Sequence, residues 1–201
     1  MGSIYDLKPR FQKLLRPTVA ALARAGVSAN QVTIVALLLS LALGACIVVR
    51  PLERWPLLLL PPFLFLRMAL NAVDGMLARE YGMKSALGAI LNELSDVLAD
   101  AGLYLPFAFV PGFSPALVVA IVLLGVISEM TGVVGVQIGA SRRYDGPFGK
   151  SDRAFAFGLL GLLTGLGVPG GRWLFVVLVA MLVLAAFTIY NRVRMALREK
   201  S

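Results

Sequence analysis

The sequence predicts an all-α polytopic membrane protein: a bundle of six membrane-spanning helices preceded by an amphipathic helix on the membrane surface. Of its 201 residues, 59% are hydrophobic and only 15% are charged, which sets it apart from ordinary soluble domains. The mean hydropathy is +0.84. Several apolar runs reach the roughly 17 to 25 residues that a helix needs to cross a bilayer, whereas the alternating strands of an outer-membrane barrel are not evident.

The first predicted element is an amphipathic helix within residues 1–27. Over residues 4–24, apolar side chains recur near helical spacing at Leu7, Phe11, Leu14, Leu15, Val19 and Leu22. Basic side chains lie between them at Lys8, Arg10, Lys13 and Arg16. Such a helix binds an anionic membrane surface, with its apolar side toward the acyl chains.

Residues 28–201 are predicted to form the membrane domain. Six apolar runs, separated by charges and by proline or glycine, mark the spans at about 31–50, 55–74, 86–110, 114–140, 153–168 and 172–191. The first span follows "GVSANQVT", in which Ser28 and Gln31 have the spacing of a capping box that starts a helix.

The distribution of basic residues predicts the orientation of the chain. Of the 19 lysines and arginines, 15 fall at the two ends of the chain and in the loops 75–85 and 141–153. By the positive-inside rule, both termini and both loops are cytoplasmic, in what we expect to be a bacterial inner membrane. The net charge of +8 therefore needs no nucleic-acid partner to explain it.

Polar residues concentrate in "NAVDGMLAREYGMKSALGAILNELSD", residues 71–96. On the second span, Asn71 and Asp74 are three residues apart and share one face of a helix. On the third span, Asn92, Asp96 and Asp100 recur every four residues and form one stripe. Ionisable groups are costly in hydrocarbon, so they are expected to face a wet cavity or the interior of the bundle.

The chemistry of these side chains favours a hard divalent cation. The sequence contains no histidine, which removes the commonest general base and transition-metal ligand. Carboxylate and amide oxygens suit Mg²⁺, Mn²⁺ or Ca²⁺, and Mg²⁺ commonly shares its ligand shell with substrate phosphates. The alternative is that the polar residues only join helices or line an ion pathway, as in a small transporter.

The motif closely resembles the signature of the CDP-alcohol phosphotransferase family. Asn71 stands three residues before Asp74, and the following signature positions are occupied, without a gap, by Gly75, Ala78, Arg79, Gly88, Asn92 and Asp96. The "GVSANQVT" segment, the six spans and the basic loop "SRRYDGPFGKSDR" are also similar to family features.

The resemblance implies a membrane enzyme that displaces CMP from a CDP-linked lipid, usually CDP-diacylglycerol, with an alcohol. It implies two divalent metal ions, Mg²⁺ or Mn²⁺, at positions 71, 74, 92 and 96, with Asp96 also the general base, and a homodimer; with the two asparagines described below, the number is one or two ions. The residues that it places around the CDP group are Gly75, Ala78, Arg79 and Gly88.

This sequence departs from the family pattern where Asn71 and Asn92 replace aspartates, so the four positions carry two negative charges instead of four. Glu93 and Asp100 would restore the charge with a shifted ligand set, the site would use one metal, or catalysis would be lost. We favour the first account, because buried carboxylates require a cationic partner. A non-catalytic or transporter-like protein that keeps the fold is the alternative function.

The loop after the fourth span holds four basic residues, Arg142, Arg143, Lys150 and Arg153. They are candidates to bind the phosphate of a phosphorylated acceptor, and the simpler alternative is positive-inside charge at anionic headgroups. Two further charges lie within spans, Arg67 in the second and Glu129 in the fourth. A mutual ion pair or a wider network would account for them.

Overall fold

The structure, a computed structural model, describes the backbone of residues 4–200 and the side chains of residues 11–200. Residues 1–3 and 201, which belong to the predicted ranges 1–27 and 28–201, lie outside the described residues, as do the side chains of Leu7, Lys8 and Arg10. The helices are α1 (Ile4–Arg24), α2 (Ala29–Val49), α3 (Trp55–Glu80), α4 (Ala86–Tyr104), α5 (Pro115–Val134), α6 (Lys150–Gly165) and α7 (Arg172–Arg198). Short 3₁₀ helices follow α4 (Leu105–Phe109) and α5 (Gly135–Ile138).

Four of these helices are long and apolar enough to cross a membrane: α2, α3, α5 with its 3₁₀ extension, and α7. Their outward faces carry exposed apolar side chains such as Leu38, Phe65, Leu123 and Val183. The protein is therefore an all-helical polytopic membrane protein. Helix α4 carries three carboxylates and α6 is only 16 residues long, so the predicted total of six spans stays a prediction.

The chain divides into two compact units. Unit 1 comprises the residues up to Ser40 together with Pro62–Ala99. Its core joins Val19 of α1, Ala29 and Val32 of α2, and Val73, Met76 and Leu77 of α3. Phe11 of α1 also meets Phe65 of α3 edge to face, with ring centroids 5.8 Å apart. Part of the apolar face of α1 thus packs on protein, and its contact with a membrane surface stays a prediction.

The capping box at the start of α2 is present as the sequence indicates. The backbone N–H of Ser28 donates to Oε1 of Gln31 at 2.8 Å, and the backbone N–H of Gln31 donates to Oγ of Ser28 at 3.3 Å. These bonds satisfy donors that a helix start otherwise leaves unpaired. They fix where α2 begins and therefore which of its side chains face α3.

Unit 2 comprises Leu41–Pro61 and the residues from Asp100 onward. Helix α5 packs along α7, and an aromatic cluster fills the space beside α6. In this cluster Tyr104 stacks on Phe157 at 4.4 Å, and Phe107 meets Phe157 edge to face at 5.3 Å. The ends of α2 and α4 approach closely at two glycines, since a Cβ added to Gly44 would lie 1.9 Å from the carbonyl oxygen of Gly102.

Candidate active site

Within unit 1, the structure brings together the two halves of the polar motif. Asn71 on α3 donates from Nδ2 to Oδ1 of Asp96 on α4, at 3.2 Å. An ionised carboxylate only accepts hydrogen bonds, so the NH₂ end of the amide is the end that faces it. Residues that are 25 positions apart in the sequence therefore belong to one cluster.

Asp74 lies deeper than Asp96 and has a partner from a third helix. It is 5% exposed, and its Oδ2 accepts a 2.8 Å hydrogen bond from the hydroxyl of Thr33 on α2. Thr33 itself is buried and lies one turn inside the capped start of α2. The start of α2 thus helps to orient Asp74, one of the two acidic residues of the motif.

Arg67 is the other charged contributor from α3. It is 4% exposed, donates from Nη2 to the backbone carbonyl oxygen of Asp96 at 3.1 Å, and lies 3.6 Å from Oδ1 of the same residue. The guanidinium therefore holds both the backbone and the side chain of Asp96. Because Arg67 precedes Asn71 by four residues, the two side chains share one face of α3.

The residues predicted to surround CDP also lie in unit 1. A Cβ added to Gly75 would lie 3.0 Å from one guanidinium nitrogen of Arg79, so the missing side chain lets Arg79 fold back over the helix. A Cβ added to Gly88 would lie 2.8 Å from Oδ1 of Asn30 and 3.0 Å from Oγ of Ser85. Ala78 between them is half-buried. Both glycines therefore leave space that polar atoms border.

Unit 1 contains oxygen-bearing side chains of the kind that hard cations bind, and their role as metal ligands stays a prediction. Asp74, Asp96 and the amides of Asn71 and Asn92 offer oxygen ligands, and Mg²⁺ or Mn²⁺ completes such a set with water and phosphate oxygens. Among the described side chains, no group of three or more Asp, Glu, Cys or His residues is placed to hold a metal ion. Asn92 is exposed and Glu93 half-buried on the same stretch of α4.

Asp100 belongs to unit 2, where it takes part in a buried ionic network. Its Oδ2 accepts hydrogen bonds from Nη2 and Nε of Arg153, at 3.0 and 3.3 Å. Arg153 also donates to Glu129 at 3.0 Å, and Glu129 lies 3.3 Å from Arg192. Glu129 is thus part of a network, the second of the two arrangements considered from the sequence. Asp100 as a metal ligand stays a prediction, with its Oδ2 already bound to a guanidinium.

The four basic residues of the predicted acceptor site are placed differently from one another. Arg142 lies 3.6 Å from Glu129, with its guanidinium over the ring of Tyr144, and Arg153 is buried in the same network. Arg143 binds Asp145 at 2.8 Å and Glu199 at 2.6 Å. Lys150 is the first residue of α6. Their role in phosphate binding stays a prediction.

Glu199, which follows the end of α7 and lies outside the membrane-spanning segments, is fixed by hydrogen bonds. The side chain and the backbone N–H of Ser141 both donate to its carboxylate, at 2.8 and 2.9 Å, and Arg143 is the further partner. The hydrogen bonds from Ser141, with that from Arg143, lower the pKa of Glu199 below its ordinary value.

The sequence model of the CDP-alcohol phosphatidyltransferase family matches residues 26–197. The chain belongs to this family. The matched range contains the polar motif, the basic loop and the two ionic clusters described above. The family contains transferases of phospholipid biosynthesis, and the membrane-spanning helices of this chain agree with that class.

Two relatives are similar to this member of the family over most of its length. Inner membrane protein YnbA of Escherichia coli (strain K12) is 44% identical over 197 residues, covering 97% of this chain and 96% of that protein. The archaetidylinositol phosphate synthase of Aeropyrum pernix is 30% identical over 158 residues, which is 78% of each chain.

Solved structures share the fold. Phosphatidylinositol phosphate synthase of Mycobacterium tuberculosis with CDP-DAG bound superposes with a TM-score of 0.78 at 17% identity, covering 92% of this chain and 94% of that one. The same enzyme in complex with manganese and citrate gives a TM-score of 0.76 at 17% identity, covering 90% and 87%. At this identity the likeness concerns the fold alone.

The sequence does not identify two residues of the cluster, Thr33 and Arg67, as site residues. Thr33 looks like an ordinary threonine of an apolar span, and a charge within a span such as Arg67 predicts a structural ion pair. A signal for Arg67 existed, because it precedes Asn71 by one helical turn on the same face. Thr33 gave no such signal, since its contact with Asp74 joins positions 41 residues apart.

Proposed function

We propose that this CDP-alcohol phosphatidyltransferase transfers the phosphatidyl group of CDP-diacylglycerol to the hydroxyl of an alcohol and releases CMP. The contact between Asn71 and Asp96 is the observation that carries the proposal, because it unites the two halves of the motif in one polar cluster. The relative solved with CDP-DAG bound supports the choice of donor. The proposed site also uses Gly75, Ala78, Arg79 and Gly88 for the CDP group.

In the proposed reaction, a bond forms between the acceptor oxygen and the lipid phosphorus, and the bond from that phosphorus to the oxygen of CMP breaks. Asp96 accepts the proton of the acceptor hydroxyl. Mg²⁺ or Mn²⁺, held by Asp74 and Asp96 with the amide oxygens, would supply charge neutralisation at the diphosphate. Arg79 would bind a phosphate through its planar guanidinium.

The decisive experiment measures CMP release by the purified full-length protein in detergent. We expect release from CDP-diacylglycerol when Mg²⁺ or Mn²⁺ and a suitable alcohol are present, and loss of release on chelation. Asp74→Asn and Asp96→Asn should each lower the rate at least a hundredfold. Glu53→Gln, which changes an exposed carboxylate paired with Arg50, is the matched control and should keep the wild-type rate.

The same assay tests the alternative of a non-catalytic or transporter-like protein. The replacement of two motif aspartates by Asn71 and Asn92 is the observation that favours this alternative. If the protein is non-catalytic or transporter-like, no alcohol, with or without a phosphate group, will support CMP release. The comparison of phosphorylated and unphosphorylated alcohols also tests whether the acceptor carries a phosphate, which the proposed role of Arg142, Arg143, Lys150 and Arg153 requires.

We also propose that the protein lies in a bacterial inner membrane as a homodimer, with both termini and the active site on the cytoplasmic side. The distribution of basic residues and the similarity to an inner membrane protein support this placement. Labelling of introduced cysteines from either side of the membrane tests the orientation. Light scattering of the protein in detergent tests the dimer.

A further inference from the structure

The surroundings of Asp96 in unit 1 contain a fixed positive charge that the family motif does not describe. Arg67 lies 3.6 Å from Oδ1 of Asp96 and donates to its backbone carbonyl oxygen at 3.1 Å. The NH₂ of Asn71 approaches the same Oδ1 at 3.2 Å. One carboxylate oxygen of Asp96 is therefore already contacted by a guanidinium and by an amide donor.

The formal charges of the cluster limit how many cations it can hold. Positions 71, 74, 92 and 96 contribute two negative charges, from Asp74 and Asp96. Arg67 contributes one positive charge, and an arginine does not lose its proton in a protein. Together, Asp74, Asp96 and Arg67 carry one net negative charge. A second divalent ion beside Asp96 would be close to a guanidinium of like charge. Even with Glu93, the half-buried carboxylate next to Asn92, three carboxylates would face the four positive charges of two divalent ions and the one of Arg67.

Asp100, a candidate to restore the missing charge, has a cationic partner in unit 2. Its Oδ2 accepts two hydrogen bonds from Arg153, so its negative charge already faces a buried cation. Removing a carboxylate from such a pair leaves a buried arginine without its counter-ion, which is costly. The negative charge of Asp100 is thus already offset within unit 2.

We propose that the site binds a single divalent cation, and that Arg67 is a positioning residue that serves as a permanent counter-cation for Asp96. This inference rests on the proposed function and concerns the same site. Arg67 orients Asp96 and offsets part of its charge, so that Asp96 and Asp74 together would hold one divalent ion. This accounts for both features of the site, the two asparagines at aspartate positions and the buried arginine. A site with fewer carboxylates and a fixed cation needs only one metal ion.

The test is the number of Mn²⁺ ions bound by the purified full-length protein in detergent with CDP, measured by electron paramagnetic resonance titration. We expect one ion in the wild type and one in Arg67→Lys, which keeps the charge. We expect two in the double variant Arg67→Gln with Asn71→Asp, which removes the cation and restores a carboxylate. Arg16→Gln, which changes an exposed arginine paired with Glu80, is the control and should bind one ion.

Two ions in the wild type, or one ion in the double variant, would overturn the inference. If the variants with Arg67→Gln do not fold, the single variant Asn71→Asp, which keeps Arg67, tests the proposal instead. It should bind one ion at least tenfold more tightly, and a second ion would contradict the proposal. The CMP-release assay keeps the two hypotheses apart, since two ions with CMP release overturn only the role of Arg67. If the protein binds no Mn²⁺ and releases no CMP, both the proposed function and the single-ion inference are overturned.

Discussion

At the scale of single residues, the cluster depends on partners that hold its two carboxylates in place. Asp74 is oriented by the hydroxyl of Thr33, and Asp96 by Asn71 and Arg67. Hydrogen bonds to charged groups in buried positions are stronger than those between neutral groups. The orientation of both carboxylates is therefore built into the folded chain before any ligand arrives.

The substitution Thr33→Val tests whether the hydroxyl of Thr33 orients Asp74. The substitution keeps the shape of the side chain but removes the donor to a buried carboxylate, which should cost about 1–3 kcal/mol in the free energy of unfolding. The concentration of Mn²⁺ needed for half-maximal CMP release should rise, since Asp74 loses its orientation. Thermal unfolding and a metal titration measure the two effects. Thr33→Ser keeps the hydroxyl and should restore both, and a Val variant with unchanged metal dependence would contradict the role given to Thr33.

The sequence predicts the motif residues more fully than it predicts their neighbours. Helical periodicity is a local property, so the shared face of Asn71 and Asp74 follows directly from their spacing. The contacts of Thr33 with Asp74 and of Arg143 with Glu199 join positions 41 and 56 residues apart. Such contacts depend on how whole helices pack, and no local pattern records them.

At the scale of helices, the predicted spans and the observed helices differ mainly at their ends. Helix α3 continues to Glu80 beyond the apolar run that ends near residue 74, because Met76, Leu77 and Ala78 favour a helix whether or not lipid surrounds them. Helix α6 begins at Lys150, where the backbone N–H of Gly149 donates to Asp152 at 2.9 Å. Hydropathy reports the apolar stretch, whereas hydrogen bonding at the ends determines where the helix starts and stops.

The close approach of α2 and α4 within unit 2 gives a prediction at this scale. In Gly44→Ala the new methyl group would lie 1.9 Å from the carbonyl oxygen of Gly102, and two backbones cannot yield as a flexible side chain can. We expect a loss of at least about 1–3 kcal/mol in stability, measured as a lower thermal midpoint in detergent. Ala45→Val, at an exposed position beside it, is the control and should unfold near the wild-type temperature.

At the scale of the whole molecule, charge is distributed in two ways. The excess of basic residues at the ends and in two loops belongs to the orientation in the membrane, while most buried charges of unit 2 are compensated by one another. Composition predicts the first pattern, because it needs only a count of residues along the chain. The second pattern needs the fold, since Asp100, Glu129 and Arg192 come from three different helices.

The contact of Glu199 with Ser141 and Arg143 predicts how acid affects the folded protein. Because its pKa is lowered in the folded state, the contact stabilises the protein fully above the ordinary glutamate pKa of about 4.3 and loses this effect as the pH falls through the lowered value. Glu199→Gln should therefore lower the thermal midpoint at pH 7, and the difference from the wild type should vanish at strongly acidic pH. A difference that is constant over this range would contradict the assignment.

The guanidinium beside Asp96 cannot dissociate, unlike a bound ion. It ties the backbone of α4 to α3, and the amide of Asn71 adds a second tie, so neither link is lost when a chelator is added. Protein stripped of divalent ions should keep this junction intact and recover as soon as ions return, without a slow refolding step. For the proposed enzyme, a shortage of metal would stop turnover but leave this junction between α3 and α4 assembled.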